Sequence, residues 1–373
     1  MTKKVYDESY INNIALAIQE VSGTSDKYYV YQMADAILNL ASGGDSLLNN
    51  AAADAVVDLS TKVTDISAYK MFKAIALETV TGVNLESLGY NAFTDANNLY
   101  SVKGKQALAI NKETFRGCGK LYKICPENIN YVGVVAAMPF TSVTIANNPH
   151  GGNISYVSVS DYDFIAGDVV YNESDYKLYK FDGDTWSEYI PQYGFSGGNL
   201  AFKDAPNFAV LPFVVRNILT PTGTLADKKS SFNSCSLKNI YLDADNFTTY
   251  DRDSISESMF SEASNLKRVW ILHNGALSDD ISLIFTVIST GMFYRATSLK
   301  SMVFTNVTSL GVNSFSYSGI DKIIAPKVTS VGEPMCSDCP NLTEIVVGAI
   351  TTLPRFFAAN CPNLEKVSIG NGT

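Results

Sequence analysis

Histidine is almost missing from this chain: His150 and His273 are the only two in 373 residues. They leave little for a His-based triad, and neither lies in a nucleophile motif. Charged side chains make up only 17% of the chain, and the net charge is −9. With no Lys/Arg cluster, that balance argues against nucleic acid, which needs a basic footprint. No apolar run approaches the roughly 18 residues of a membrane helix, so no membrane contact is expected. The opening stretch MTKKVYDESYINNIALAIQE places Asp7 and Glu8 where the apolar part of a secretory signal should begin. No signal peptide is therefore read, and synthesis in the cytoplasm is expected.

Phosphate-binding and dinucleotide-binding glycine motifs are also lacking, so no cofactor is expected. Asp182-Gly183-Asp184 and the group Asp243, Asp245, Asp251 and Asp253 lack the spacing of a calcium loop. They read as solvated turn acids, and no metal is expected. A glycosidase could place two carboxylates anywhere, but no catalytic constellation stands out, and a non-enzymatic protein is expected.

What the chain does have is a period. The segments NAFTDANNLYSV (91–102), ETFRGCGKLYKI (113–124), EPMCSDCPNLTEI (333–345) and RFFAANCPNLEKV (355–367) align. Leu99 to Leu121 and Leu342 to Leu364 are each 22 residues; so are Phe93 to Phe115 and Met335 to Phe357. LGYNAF and LGVNSF repeat a Gly-to-Phe spacing of four residues, Gly89 to Phe93 and Gly311 to Phe315. A fixed period in this range marks a stacked repeat whose units bury their apolar faces against one another. Within a unit, Leu342, Ile345 and Val347 should point inward. Second short pieces recur at Val307–Leu310, Val328–Val331 and Ile350–Leu353, their β-branched residues suited to a ladder.

The period also accounts for the cysteines. Cys118, Cys339 and Cys361 each precede a repeat leucine by three residues, where other units hold Ala96, Ala263 and Ala296. That column asks for a small buried residue, which free cysteine supplies. Cys336-x-x-Cys339 therefore reads as structural rather than as half of a zinc site, since no second pair and no nearby histidine accompany it.

Along the chain, residues 1–43 read as a helical hairpin, with Ile11, Ile14 and Ile18 on one helix and Met33, Ile37 and Leu40 on the next. These six are the expected docking or oligomerisation residues. Residues 44–82 read as further helices, over roughly 46–59 and 68–79, the latter on Met71, Phe72, Ile75 and Ala76. Residues 83–146 form a first repeat block. Residues 147–212 break the period and alternate like strands, with Asp182-Gly183 as a hairpin turn. Residues 213–373 form a second block on Leu237, Leu266, Leu299, Ile320, Leu342 and Leu364, with one insertion, 277–290, apolar enough for a short helix. The fold class expected is α+β: a helical N-terminal region, then a repeat solenoid of about 22 residues per unit, interrupted by a small β insertion.

One outward column is unusual. Four residues after each strand-starting residue stand Tyr241, Trp270, Val303, Ile324, Val346 and Ser368. Five of these six are apolar or aromatic where a solvated face should be polar, and Lys267 and Arg268 adjoin them. Either another segment or subunit covers this stripe, or it is an exposed recognition surface anchored by Trp270 and Tyr241.

The repeats, over 307–372 and 91–129, resemble the BspA type of leucine-rich repeat. The segment INNIALAIQEVSGTSDKYYVYQMADAILNL (11–40) resembles a short module of structural proteins from phages and prophages of Gram-positive bacteria. It departs from that module at Gln19-Glu20, where a basic residue is usual, and at Tyr31. Together these resemblances imply a phage virion protein of tail-fibre, baseplate or head-fibre kind. Its N-terminus would dock on other virion proteins or identical subunits, and its solenoid would present a surface to a host-cell glycan or protein. A secreted or cell-surface adhesin of the same repeat type is the alternative, and a polysaccharide-degrading enzyme the third. The array stops just after a strand without a polar capping unit, so a partner, another subunit or further sequence is expected to cover it.

Overall fold

The computed structural model describes residues 56–59, 63–68, 70–105, 108–126, 128–145, 155–158, 163–197, 200–218, 232–247 and 257–370. Each coil of the solenoid is one turn followed by two short strands. The turn is set by two left-handed residues four apart, such as Asn91 and Asp95, Ser258 and Glu262, Gly291 and Arg295, or Asn313 and Tyr317. Asn, Asp and Gly adopt that conformation most readily, which is why they gather here. The residue midway between the two is buried. In seven successive coils it is phenylalanine: Phe93, Phe115, Phe202, Phe232, Phe260, Phe293 and Phe315. Their rings stack at centroid separations of 5.3, 6.0, 6.2, 5.9, 5.4 and 5.6 Å, with planes no more than 16° apart.

Backbone bonds fix the register of this ladder. Phe93 N donates to Thr114 O, Phe293 N to Ser314 O and Phe315 N to Met335 O, each time to the residue before the next member. Cys336 and Ala358 therefore continue the column. Met335 and Phe357, which the 22-residue spacing aligns with Phe93 and Phe115, lie one position earlier.

Three residues after each ladder position stands the small column: Ala96, Cys118, Ala205, Cys235, Ala263, Ala296, Ser318, Cys339 and Cys361. Its thiols donate to the preceding coil, Cys118 Sγ to Phe93 O at 3.0 Å and Cys339 Sγ to Phe315 O at 3.0 Å. Next to the strand-starting residue an asparagine does the same with its side-chain amide. Asn98 reaches Ile75 O at 2.6 Å, Asn207 reaches Gly119 O at 2.7 Å and Asn363 reaches Pro340 O at 2.6 Å. These donors satisfy turn carbonyls that no ladder partner meets.

The expected α+β class is corrected: among the described residues there is no α-helix, only the 3₁₀ turn Ile281–Leu283 where 277–290 suggested a helix. Within 44–82, Val56–Leu59, Asp65–Ile66 and Thr79–Gly82 are strands. Residues 70–78 are a repeat turn, with Met71 N donating to Ala92 O and Lys73 N to Thr94 O. Met71, Ala74 and Leu77 are the ladder, small and leucine positions of that coil, all buried, whereas Ile75 is exposed. Met71, Phe72, Ile75 and Ala76 recur at the one- and four-residue spacing of a helix face, which is why the segment reads as helical. The hairpin expected at 1–43, with Ile11, Ile14, Ile18, Met33, Ile37 and Leu40, lies outside the described residues.

The strands after the leucines pair in parallel: Val56–Leu59, Thr79–Gly82, Ser101–Gly104 and Lys123–Pro126 form one sheet. The second pieces Asp65–Ile66, Ser87–Leu88 and Leu108–Ile110 continue through Gly194–Gly197 and Val214–Ile218 to Asn239–Asp243 and Arg268–His273. Farther on, Lys322–Ala325, Glu344–Val347 and Lys366–Ile369 pair in parallel, as do Val287–Ile288, Ser309–Leu310 and Ser330–Val331.

The stack is continuous across the inserted segment. Phe115 N donates to Ala201 O and Gly117 N to Lys203 O. Residues 200–208, placed by the broken period inside the insertion, are therefore a coil of the solenoid. The insertion itself is a six-stranded sheet in the order Ser155–Ser158, Ser142–Ile145, Asn130–Val135, Asp168–Asn172, Lys177–Phe181, Trp186–Tyr189.

Coils approach most closely at glycine. A Cβ on Gly332 would lie 2.3 Å from Val312 N, and one on Gly311 2.5 Å from Thr290 N. Gly332→Ala should therefore cost about 1–3 kcal/mol through forced separation of coils. Leu342→Ala, at a fully buried position, should cost about 2–5 kcal/mol through the cavity it leaves. Urea melts of both variants check these values.

Candidate functional site

The outward column divides into a covered part and an open part. Tyr241 lies on strand Asn239–Asp243 and Trp270 on Arg268–His273, directly opposite one another in the parallel register. The insertion lies over both. Its buried tyrosines Tyr131, Tyr171 and Tyr189 form one apolar cluster with Tyr122, Val214 and Tyr241, against which Trp270 packs. Only 1% of Tyr241 is exposed, and its hydroxyl accepts from Asn239 Nδ2 at 2.9 Å.

The turn that joins Asp168–Asn172 to Lys177–Phe181 clamps this contact. Trp270 Nε1 donates to Tyr176 O at 2.9 Å, and Lys238 Nζ pairs with Glu173 at 2.5 Å. Tyr176 takes the left-handed conformation, at φ 62°. Cations surround the rings. Lys177 Nζ lies 5.7 Å from the Trp270 ring centre, while Lys267 Nζ and Arg268 Cζ lie 5.7 and 5.8 Å from that of Tyr176. Arg268 also donates to Ser301 O and lies 3.5 Å from Asp279. Of the two readings of Tyr241 and Trp270, cover by another segment and exposed anchors for a partner, the first describes them: the chain's own insertion engages both, and Lys267 and Arg268 frame that seam.

Beyond Trp270 the column is open. Val303 is 41% exposed and Ile324 37% exposed, with Val346 half-buried. Ile324, Val346 and Ser368 stand in register on three neighbouring strands. Beside them runs a charge ladder in which Glu344 pairs with Lys366 at 2.6 Å and Lys322 at 3.3 Å. These two lysines, Lys366 the more, hold the Glu344 carboxyl below the usual carboxylate range. The surface is therefore an apolar strip three coils long with a fixed pattern of charge along one side.

The acidic groups singled out in the sequence have local partners. Asp182 accepts from Asp184 N and Thr185 N, which close its turn and lower its pKa. Asp243 is buried beside Arg216 at 2.8 Å, and Asp245 meets His273 Nδ1 at 2.6 Å. Asp251 and Asp253 lie outside the described residues. The clamp residues Glu173, Tyr176 and Lys177 were not singled out in the sequence. The signal for them was the tyrosine-rich alternation of the insertion, an apolar face in need of a partner.

Burial is the leading cause that raises the pKa of Tyr131, Tyr171, Tyr189 and Tyr241 above the ordinary tyrosine value. The unfolded chain releases these protons first as pH rises. Their contribution to stability is therefore complete below about pH 10 and is lost above it. An alkaline titration should show these four ionising in one cooperative step as the insertion detaches. Gradual ionisation with unchanged circular dichroism would contradict this.

The BspA type leucine rich repeat region model matches this chain in six copies, over residues 48–150, 214–280 and 278–373. No curated protein matches. Among solved structures, the pneumococcal vaccine antigen PcpA aligns at 14% identity and a TM-score of 0.31, covering 86% of this chain and 69% of that one. A leucine-rich repeat protein from Eubacterium ventriosum aligns at 16% identity and TM-score 0.36, covering 86% and 75%. A leucine rich cell surface protein from Faecalibacterium prausnitzii aligns at 13% and 0.26, covering 85% and 79%. With its family match spanning more than half of its length, this chain belongs to the BspA type leucine-rich repeat family.

Proposed function

We propose that this chain is a non-catalytic, adhesin-like recognition protein whose open strip, Val303, Ile324 and Val346, contacts a protein or glycan displayed on a cell surface. The observation that carries this reading is the change of environment along one column. The chain covers its own aromatic residues at Tyr241 and Trp270, yet Val303, at an isolated bridge, and Ile324, on a paired strand, are exposed among the described residues. Solvated strand faces favour polar residues, so an exposed apolar row with fixed flanking charge is the form an interaction surface takes. Lys322, Glu344 and Lys366 would give the contact its orientation.

The segment 11–40 favours a second reading, in which the same solenoid is carried on a phage virion. There it would meet other virion proteins or identical subunits, having been made in the host cytoplasm without export. Co-sedimentation of the chain with phage particles supports the virion reading; recovery from intact cells by surface proteolysis supports the adhesin reading.

The strip is tested the same way under both. Val303→Lys combined with Ile324→Lys should weaken binding to target cells about tenfold or more, equivalent to at least 1.4 kcal/mol. Thermal stability should stay nearly unchanged, since both positions are solvent-facing. Unchanged binding in a folded double variant would exclude the strip.

A further inference from the structure

Three thiols meet at the last coils described. Cys336 stands in the ladder column where seven earlier coils carry phenylalanine, and Cys339 stands in the small column of the same turn. Cys361 occupies the small column of the next coil, and its Sγ lies 3.1 Å from Cys336 O. Cys336 Sγ donates to Phe357 O at 3.2 Å and Cys339 Sγ to Phe315 O at 3.0 Å, so all three thiols sit in the turns of two adjacent coils. Cys336 and Cys339 are buried, as are Cys118, Cys125 and Cys235, whereas Cys361 is partly exposed. One partly exposed cysteine is thus backed by two buried ones.

The neighbouring side chain of Cys336 first, then that of Cys339, lowers the pKa of Cys361. The same contacts raise Cys336 and Cys339. An accessible thiolate beside a second thiol is the arrangement in which exchange runs to an internal disulfide. Cys339 and Cys361 are in the same column of adjacent coils, 22 residues apart. Adjacent coils are separated by 5.6 Å at the last pair of ladder rings, inside the roughly 4.4–6.8 Å between Cα atoms that a disulfide spans.

We propose that Cys361 and Cys339 are a reversible thiol–disulfide pair that staples two neighbouring coils, with Cys361 the attacking thiol and Cys339 the resolving one. The oxidant is a low-molecular-weight disulfide of the glutathione class. The Cys361 thiolate attacks one of its sulfurs, its S–S bond breaks, and one glutathione leaves as a thiolate that takes up a proton. Cys339 then gives up its proton and attacks the Cys361 sulfur of the mixed disulfide, expelling the second glutathione. Two protein thiols are oxidised and one small disulfide is reduced to two thiols.

The test is alkylation and exchange on the folded full chain, read by peptide mass spectrometry. Under brief treatment with iodoacetamide, Cys361 should be labelled at least about tenfold faster than Cys118 or Cys235, as its thiolate character and exposure require. Oxidised glutathione should yield a linked peptide pair containing Cys339 and Cys361, which dithiothreitol releases. Cys361→Ser should abolish both results. Cys339→Ser should leave fast labelling intact but trap the mixed disulfide. Ser318 already occupies this column, so both serine variants have a precedent for folding. Equal labelling of Cys361 and Cys118, or a mixed disulfide that never closes in the wild type, would overturn the proposal.

Discussion

The stacked phenylalanine ladder is the interaction on which the rest depends. Each ring rests on the ring before it, and each is held by a turn whose two left-handed residues fix its direction. A coil alone could not bury that ring; seven in succession form a continuous apolar column. Aromatic pairs of this kind contribute about 0.5–1.5 kcal/mol each beyond their buried area. Because the ring sets the coil separation, it also sets where glycine is needed, at Gly311 and Gly332, and where only a small residue fits.

That separation passes unbroken through Phe202, although 67 residues intervene between Pro126 and Gly194. The insertion leaves the solenoid after Lys123–Pro126 and returns at Gly194–Gly197 without disturbing the column. Its tyrosine face then settles on the nearest outward strands, which carry Tyr241 and Trp270. What remains of that outward column is shaped by where the insertion stops. The open strip of Val303, Ile324 and Val346 is the part of that face that none of the described residues occupies.

Much of the solenoid was legible in the sequence because its period is long and its leucines regular. Leu237, Leu266, Ile320, Leu342 and Leu364 were read as strand starts and stand two residues before their strands, while Leu299 leads only to the isolated bridge at Val303. The small column was read from Cys118, Cys339 and Cys361 beside alanines, and its cause, a donor to the preceding turn, needed the backbone. The coil at Met71, Ala74 and Leu77 was missed because Met71, Phe72, Ile75 and Ala76 mimic a helix face. The coil at Phe202 was missed because phenylalanine, Phe208, stands where leucine marks the others. The one-residue shift at Cys336 was invisible because Met335 and Phe357 are apolar and correctly spaced. The clamp by Glu173 and Tyr176 is a contact between distant segments, which no local pattern encodes.

The most direct test of one continuous stack is native-state hydrogen exchange on the full chain. A ladder continuous through Phe202 predicts that amides in 108–126, 200–218 and 257–273 open together, with one common free energy, as parts of a single cooperative unit. If 200–218 exchanged at its own lower free energy while its neighbours stayed protected, the segment would belong to a separate inserted domain, and the continuous ladder would be contradicted.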